Sequence, residues 1–459
     1  MRSPMIRIRV PSCCCLLSLP CLVAQEPTQP TEPPPSRLQA LQQAMQDVRR
    51  QPGTASSLIG PGPVTSTPGQ LRLIDVSLDI VAAAGSSTAT DAELSDLQGG
   101  GHDPKKRGFT LQQAELSIGG AVDPYFTAES HIVWFLDPVA GETNVELEEA
   151  FVTSQALPYD LQLKAGMFLT EFGRLNAVHP HAWDWQDQPV ILSRVFGGDG
   201  MRAPGARMSW LLPTGNYTEV FATVQNANGE QMTSFLANEE VYAERAIGGR
   251  AFAPSPVRSF GDLVYTGRLL SSWDLSDASS TAVGASVAFG PNATGDGADT
   301  LIWGADFVYK WRAPSNQRGW PFFKLQGEFV GRQFQAAGQI DDSDPLDPVT
   351  VPGRTLRDHG AYLQALWGFE PGWDVGLRGD WASGSGDSYD PGTQTFARSA
   401  DPYRCDRFRI SPMIEYHPSE FSRFRLQYNY DDTDAIGDPV HSVWLGFEIL
   451  IGKHPPHKY

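Results

Sequence analysis

The sequence predicts an all-β fold, a transmembrane antiparallel β-barrel of about 16 strands, and three observations support this prediction. Segments of about ten residues alternate apolar and polar side chains. In residues 71–80 (LRLIDVSLDI), for example, one face carries Ile74, Val76, Leu78 and Ile80. Such alternation is typical of a strand with one apolar and one polar environment. The connections between segments are alternately short and long, and there is no apolar run long enough for a transmembrane helix. A closed barrel is then the way for such a chain to cross a membrane.

The N-terminus has the layout of a secretory signal peptide over residues 1–24. Three early arginines precede a mostly apolar run, which ends near Ala24 and is followed by a Pro-rich stretch. Cleavage after Ala24 removes four of the five cysteines and leaves Cys405, so the mature chain cannot form an intrachain disulfide.

Residues 25–69 predict a periplasmic Pro-rich linker that contains one short helix. Within 37–50 (RLQALQQAMQDVRR), apolar residues recur at the heptad spacing of a coiled coil. Two heptads are marginal alone, so both a frayed single helix and a coiled coil that supports a trimer stay open. The seam consists of Leu38, Leu41, Met45 and Val48.

Strand candidates fill residues 70–452, and each is long enough to cross a bilayer. Connections after even-numbered candidates are short, such as 370–372, whereas several after odd-numbered candidates are long, such as 170–203. A barrel with both ends in the periplasm has this pattern of short turns and long extracellular loops. Residues 453–459 form a C-terminal tail. The candidates are 70–80, 110–121, 125–136, 144–154, 160–169, 204–212, 216–226, 262–273, 280–290, 299–311, 320–332, 359–369, 373–382, 406–417, 421–430 and 441–452.

Charge and surface pattern indicate the location and the partners. The formal net charge of -18 disfavours nucleic acid as a partner. Tryptophans near the candidate strand ends or on their apolar faces suit the aromatic girdles of a barrel in lipid. We therefore predict an integral protein of the outer membrane of a Gram-negative-type bacterium, in contact with lipid outside and small hydrophilic solutes inside. The alternative is a secreted soluble sandwich.

Five arginines are predicted to line one wall of the barrel interior. On the thirteenth candidate the apolar face carries Trp373, Val375 and Leu377, so the alternate positions point inward. Fixed charge along a narrow pore selects the solutes that pass. The alternative is that these arginines are paired with lumen carboxylates as structural filler. The predicted wall consists of Arg378, Arg407, Arg409, Arg423 and Arg425.

The connection over 170–203 (TEFGRLNAVHPHAWDWQDQPVILSRVFGGDGMRA) is too apolar for a loop in solvent, so we expect it to fold into the barrel and narrow it. The alternative is a loop packed on the rim. Acidic residues of the loop are predicted to face the arginine wall across a pore constriction, and arginines of the loop to anchor it by paired hydrogen bonds. The acids are Glu171, Asp184, Asp187 and Asp199, and the anchors are Arg174, Arg194 and Arg202.

The same loop carries a candidate metal site. Imidazole and carboxylate together suit zinc and other divalent metals, which makes His179 and His181, with Asp184 and Asp187 nearby, a hypothesis for metal binding. An H-x-H pair is also common in loops that bind nothing. We expect no cofactor, and no catalytic motif such as G-x-S-x-G or H-E-x-x-H occurs, so an enzyme is not expected.

Several motifs resemble known bacterial families. Residues 169–213 (LTEFGRLNAVHPHAWDWQDQPVILSRVFGGDGMRAPGARMSWLLP) and the ending GFEILIGKHPPHKY resemble proteins labelled zinc-regulated outer-membrane receptors. VDPYF, LEEAFV, KAGMFLTEFGRLN and the N-terminal heptads are similar to the phosphate-selective porin O and P group. The resemblance implies a barrel with a folded-in loop that passes small solutes, and a possible homotrimer.

The sequence as a whole predicts a passive porin-like channel for small hydrophilic solutes or ions, filtered by the inserted loop and the arginine wall. The competing hypothesis is an outer-membrane receptor or binding protein for a divalent metal or metal chelate.

Overall fold

The computed structural model describes residues 74–137 and 141–452, and these form a closed antiparallel barrel. Each of the sixteen strands pairs with its neighbour in sequence, and the first strand closes the barrel by pairing with the last. The strands are Asp75–Ser87 (β1), Gly108–Ala121 (β2), Phe126–Leu136 (β3), Thr143–Ser154 (β4), Leu161–Leu169 (β5), Arg202–Leu211 (β6), Tyr217–Asn226 (β7), Leu263–Ser276 (β8), Ser279–Pro291 (β9), Asp299–Gln317 (β10), Trp320–Ala336 (β11), Arg354–Glu370 (β12), Trp373–Ser385 (β13), Arg407–Ser419 (β14), Ser422–Thr433 (β15) and Val440–Gly452 (β16).

The prediction of a sixteen-stranded antiparallel barrel is confirmed. The largest difference is in the first strand, predicted over 70–80, because β1 begins at Asp75 and runs on to Ser87. Its small residues Ala82, Ala83 and Ala84 pair with β2 and β16 although they lack an alternating pattern. The predicted signal peptide, linker helix and C-terminal tail lie outside the described residues and stay predictions.

Side chains alternate between the two surfaces of the barrel. On β13, Val375 and Leu377 are exposed on the outside, whereas Asp374, Arg378 and Asp380 are buried inside. Large apolar residues are exposed along the outer face of other strands too, which gives the barrel a lipid-facing belt. A closed barrel with such a belt leaves no strand edge in the hydrocarbon. The chain is therefore an integral outer-membrane protein.

The connections separate the two ends of the barrel. Two to six residues join each even-numbered strand to the next, whereas the longest loops all follow odd-numbered strands. We call residues 170–201, between β5 and β6, loop L3, and residues 227–262, between β7 and β8, loop L4. None of the described helices is long and apolar enough to cross a membrane. The helices are Asp91–Leu97 (α1), Val190–Phe196 (α2) and Glu239–Glu244 (α3), with short 3-10 helices at Pro158–Asp160, Pro180–Ala182, Ile247–Gly249, Phe260–Asp262, Arg398–Ala400 and Pro402–Arg404. Two further strand pairs, Gln339–Asp341 with Val349–Val351 and Ser388–Asp390 with Thr395–Ala397, lie in loops.

An apolar core lies inside the barrel. It is built from L3, L4 and inward-facing residues of the wall, and α2 is its centre. Ile191 of α2, Phe235 of L4 and Ile302 of β10 are each at most 1% exposed. Sequence reasoning did not anticipate the contribution of L4. The core fixes the part of L3 that contains α2, and the polar residues earlier in that loop are thereby held against the wall.

Candidate pore constriction and histidine cluster

L3 crosses the inside of the barrel and contacts several strands. The backbone N–H of Leu175 donates to Glu328 of β11 at 2.9 Å. Further along, the indole N–H of Trp185 donates to the carbonyl of Ser411 on β14, also at 2.9 Å. L3 therefore lies within the barrel, as its apolar composition predicts, and the alternative of a loop on the rim is wrong.

Glycines of the wall allow L3 to come this close. A Cβ atom at Gly446 would lie 2.6 Å from the side-chain amide of Gln186, and one at Gly376 would lie 2.9 Å from the ring of Trp185. Any larger residue would push the loop away from the wall. The absence of a side chain at these two inward-facing positions therefore allows L3 to pack against the wall.

The centre of the loop's anchorage is the carboxylate of Asp187. It accepts hydrogen bonds from Arg378 at 2.5 Å, Arg409 at 2.8 Å, Gln427 at 2.9 Å and Asn429 at 2.6 Å. Burial alone would raise the pKa of Asp187, but the two arginines outweigh burial and hold that pKa well below its usual range. Asp187 is therefore a charged group that fastens L3 to β13, β14 and β15.

The structure corrects the interpretation of the arginines as a wall that faces water. Arg378 and Arg409 are 1% exposed and contact L3 directly. Arg407 pairs with Asp431 at 2.6 Å and Arg425 with Glu415 at 3.0 Å. Arg423 pairs with Glu448 and is only half-buried. A buried guanidinium needs a carboxylate partner, so the paired arrangement that was the alternative in the sequence reasoning is the one observed.

The predicted row of loop acids is also corrected. Asp184 pairs with Lys324 of β11 at 2.8 Å, and Glu171 pairs with Arg207 of β6 at 2.6 Å, whereas Asp187 contacts β13, β14 and β15. Asp199 accepts a hydrogen bond from Gln231 of L4 at 3.0 Å. Each acid takes the donor nearest to it, because an unpaired buried carboxylate is costly. The four acids therefore do not form one face.

The three arginines predicted as anchors, two in L3 and Arg202 at the start of β6, differ in their contacts. Arg202 pairs with Glu146, as the prediction of carboxylate anchoring requires. Arg194 instead donates to the carbonyl oxygen of Cys405 at 2.7 Å. Arg174 has a buried Nε without a hydrogen-bond partner among the described residues.

A basic pair on the wall escaped the sequence reasoning. Lys310 of β10 and Lys324 of β11 are directly opposite each other in the strand pairing. Arg174 and Arg312 interact electrostatically with Lys310, so four basic side chains share this region with Asp184. Lys310 follows the inward positions Asp306 and Val308 in the alternation, and that pattern is the signal that could have identified it.

His179 and His181 lie in what we call the histidine cluster, formed by Glu115, His131, Glu148, Glu149, His179 and His181. Glu115 of β2 is fully buried, and one of its carboxylate oxygens lies 2.9 Å from Nδ1 of His131. The other oxygen lies 2.8 Å from Nδ1 of His181 and 3.4 Å from Nδ1 of His179. The cluster joins L3 to β2, β3 and β4, a different part of the wall from the strands β13–β15 that contact Asp187.

Two glutamates of β4 complete the cluster around His179. Its Nδ1 lies 2.8 Å from Glu148 and its Nε2 lies 2.8 Å from Glu149. Burial alone would lower the pKa of His181, but the carboxylate of Glu115 outweighs burial, and this pKa rises to about 9. The metal hypothesis is corrected in its composition: the two histidines converge with glutamates of the wall, whereas Asp184 and Asp187 pair elsewhere with cations.

Comparison with known proteins supports the fold. No family model matches the chain. An uncharacterized protein of Aquifex aeolicus is 27% identical over 418 residues, which cover 84% of this chain and 80% of that protein. The outer-membrane channel DcaP of Acinetobacter baumannii superposes with a TM-score of 0.51 at 11% identity, over 82% of this chain and 97% of DcaP. An anion-selective porin from Comamonas acidovorans gives a TM-score of 0.46 at 11% identity, over 83% and 99% of the two chains.

The sixteen-stranded barrel with its lipid-facing belt defines an integral outer-membrane β-barrel protein. The likeness to DcaP supports the same fold.

Proposed function

We propose that this protein is a porin-like channel for passive diffusion of small hydrophilic solutes or ions, in which L3 sets the narrowest part of the path. The observation that carries the proposal is that L3 is fastened inside the barrel at two separate parts of the wall, at Asp187 and at the histidine cluster. A loop held inside a barrel at two places narrows its cross-section and limits the size of what passes.

Charge selection is assigned to side chains that keep contact with water. Asp184, Lys324 and Glu171 retain between 17% and 19% of their side-chain exposure, and Arg423 retains 15%. Arg378 and Arg409, by contrast, act as anchors in this proposal. Solutes would therefore meet the basic region around Lys310 and Lys324 beside the carboxylates of L3.

Single-channel recording in planar bilayers tests the proposal. Stable open steps of the purified protein support a channel. Absence of any step from protein with an intact barrel contradicts it and favours the competing receptor hypothesis.

The charge filter is tested by Lys324→Glu. This variant should shift the reversal potential in a salt gradient toward cation selectivity, because it removes a positive charge from the path and adds a negative one. Lys106→Glu, on an exposed residue of the connection between β1 and β2, is the matched control and should leave the reversal potential unchanged. Equal shifts in both variants would mean that the selectivity comes from general surface charge.

The finer features expected from the sequence belong to the same proposal. The resemblance to the phosphate-selective porin O and P group makes phosphate the first anion to compare with chloride in these recordings. A homotrimer is tested by light scattering on the detergent-solubilised protein, with the detergent mass subtracted.

A further inference from the structure

The histidine cluster has a geometry that the channel function does not require. Glu115, His131 and His179 each offer one ligand atom, and these three atoms lie within 4.8 Å of one another. A zinc-type ion about 2.0–2.2 Å from each ligand in tetrahedral geometry separates its ligand atoms by about 3.4 Å. Nδ1 of His131 lies 2.9 Å from one carboxylate oxygen of Glu115, and Nδ1 of His179 lies 3.4 Å from the other, so both separations are near this value.

The remaining ring nitrogens face carboxylates. Nε2 of His179 lies 2.8 Å from Glu149, and Nε2 of His131 lies 3.9 Å from Glu129. Histidines that bind metal commonly donate their second N–H to a carboxylate, which fixes the ring and increases the basicity of the ligand nitrogen. His179 thus has such an outer partner at hydrogen-bond distance, and His131 has a carboxylate nearby. Nδ1 of His131 faces Glu115, and Nδ1 of His179 lies 2.8 Å from Glu148 and 3.4 Å from Glu115.

Asp79 supplies an independent observation. It lies directly opposite Glu115 in the pairing of β1 with β2, and it is 5% exposed. Its Oδ1 is buried and has no hydrogen-bond partner among the described residues. Asp79 interacts electrostatically with His181 and Glu115, so this unpartnered carboxylate oxygen lies beside the cluster. Buried acceptors without a partner are rare, and a bound ion is one group that satisfies them.

We propose that Glu115, His131 and His179 bind one divalent transition-metal ion, which links L3 to β2 and β3. Imidazole and carboxylate ligands suit zinc and its first-row neighbours. The side chains of His131 and His179 are 16% and 14% exposed, so a fourth coordination position is open to water from the lumen. The site does not depend on the channel function, because the ion would fasten the loop whether or not solutes pass.

A second group of similar composition serves as an internal comparison. Asp374, Glu415 and His417 also bring their ligand atoms within 4.8 Å of one another near the short-turn end. There Glu415 is already paired with Arg425 at 3.0 Å and lies 3.4 Å from Arg423. The fixed positive charges repel a metal ion, so this group should not bind one.

The experiment titrates zinc into the full mature chain in detergent, after chelator treatment and without a polyhistidine tag, and measures heat and bound metal. His454 and His457 of the tail are replaced by Gln in every form so that they do not contribute. The variants are His131→Gln, His179→Gln, Glu149→Gln and, as control, His417→Gln. Heat-modified migration on gels verifies that each barrel is folded, and His131→Gln alone suffices where His179→Gln fails to fold.

One zinc per chain is expected in the reference protein and in His417→Gln. Loss of the ligand nitrogen in His131→Gln or His179→Gln should weaken binding by more than the roughly 10–100-fold that removal of an outer partner in Glu149→Gln costs. Cobalt in place of zinc should give the visible absorption of a tetrahedral site. No bound metal in the reference protein overturns the proposal, as does unchanged binding in His131→Gln, or loss of binding in His417→Gln.

Discussion

The anchor at Asp187 gives the sharpest prediction, made with the substitution Asp187→Asn. The change keeps the size of the side chain and removes its charge. Arg378 and Arg409 then lose a carboxylate that lies 2.5 Å and 2.8 Å from their nitrogens in the wild type. L3 should detach from β13 and β14 more often, while the strand pairing of the barrel is left intact.

The free-energy cost of Asp187→Asn depends on which carboxylate partners Arg378 and Arg409 retain. Breaking a buried ion pair by removing one partner costs about 3–5 kcal/mol. Arg378 retains Asp380 at 2.8 Å, and Arg409 retains Asp431 at 2.8 Å. We therefore expect the lower end, about 3 kcal/mol, which raises the detached population of L3 by roughly a hundredfold.

The control is Asp184→Asn in the same loop. Asp184 pairs with Lys324, and both side chains keep contact with water at 17% and 19% exposure. Pairs of this kind contribute about 0–1 kcal/mol, so the detached population should rise by less than about sixfold. The two substitutions thus make the same chemical change and differ in burial.

The assay is the rate of tryptic cleavage within L3, followed by mass spectrometry on folded protein in detergent. When opening and closing are fast relative to cleavage, this rate reports the detached population. Open-channel noise in single-channel recordings should rise in parallel. Similar cleavage rates in Asp187→Asn and Asp184→Asn would refute the conclusion that buried pairing at Asp187 fastens the loop.

Two further predictions concern the same loop. The pKa of Asp187 is lowered, so its stabilising effect is complete above the ordinary value of 3.8 and is lost as the pH falls through the lower folded pKa. The difference in urea stability between wild type and Asp187→Asn should accordingly be constant from neutral pH down to about pH 4 and should shrink only in stronger acid; a difference that already disappears near pH 5 would contradict the lowered pKa. Gly446→Ala should destabilise the folded loop by about 1–3 kcal/mol through overpacking, because its Cβ would lie 2.6 Å from the amide of Gln186. Gly379→Ala, where nothing lies within 4 Å, is the control, and equal urea stabilities of the two alanine variants would contradict the close approach.

The barrel could be predicted because its information is local. Alternation along each strand reports which face meets lipid, and all sixteen predicted segments coincide with strands of the barrel. The strand ends were less accurate: β1 extends to Ser87 through small residues whose pairing partners, rather than their own hydropathy, keep them in the sheet. Insertion of L3 was predictable from its apolar residues, which need a core to cover them.

The contacts of the site could not be predicted in the same way, because each depends on pairing between distant segments. Asp187 meets Arg378 and Arg409 across about two hundred positions of sequence. His179 of L3 lies close to Glu115 of β2 and His131 of β3. The sequence shows which residue types face inward, but the choice of partner among many inward carboxylates and cations is made by the path of L3.

The need to hold L3 along one path explains why an acidic chain concentrates arginines on β14 and β15. A loop that stays inside a water-accessible barrel cannot be held by apolar contacts alone, because the part of L3 before α2 faces polar side chains of the wall. Arg409 and the neighbouring Asn429 supply fixed donors for Asp187, and burial makes those hydrogen bonds stronger than they would be in water. The histidine cluster fastens L3 to another part of the wall with the charges reversed, because there the wall provides the carboxylate, Glu115, and the loop provides the imidazoles. Two attachments of opposite polarity define one position of L3, because sliding or rotating the loop would bring like charges together on at least one side.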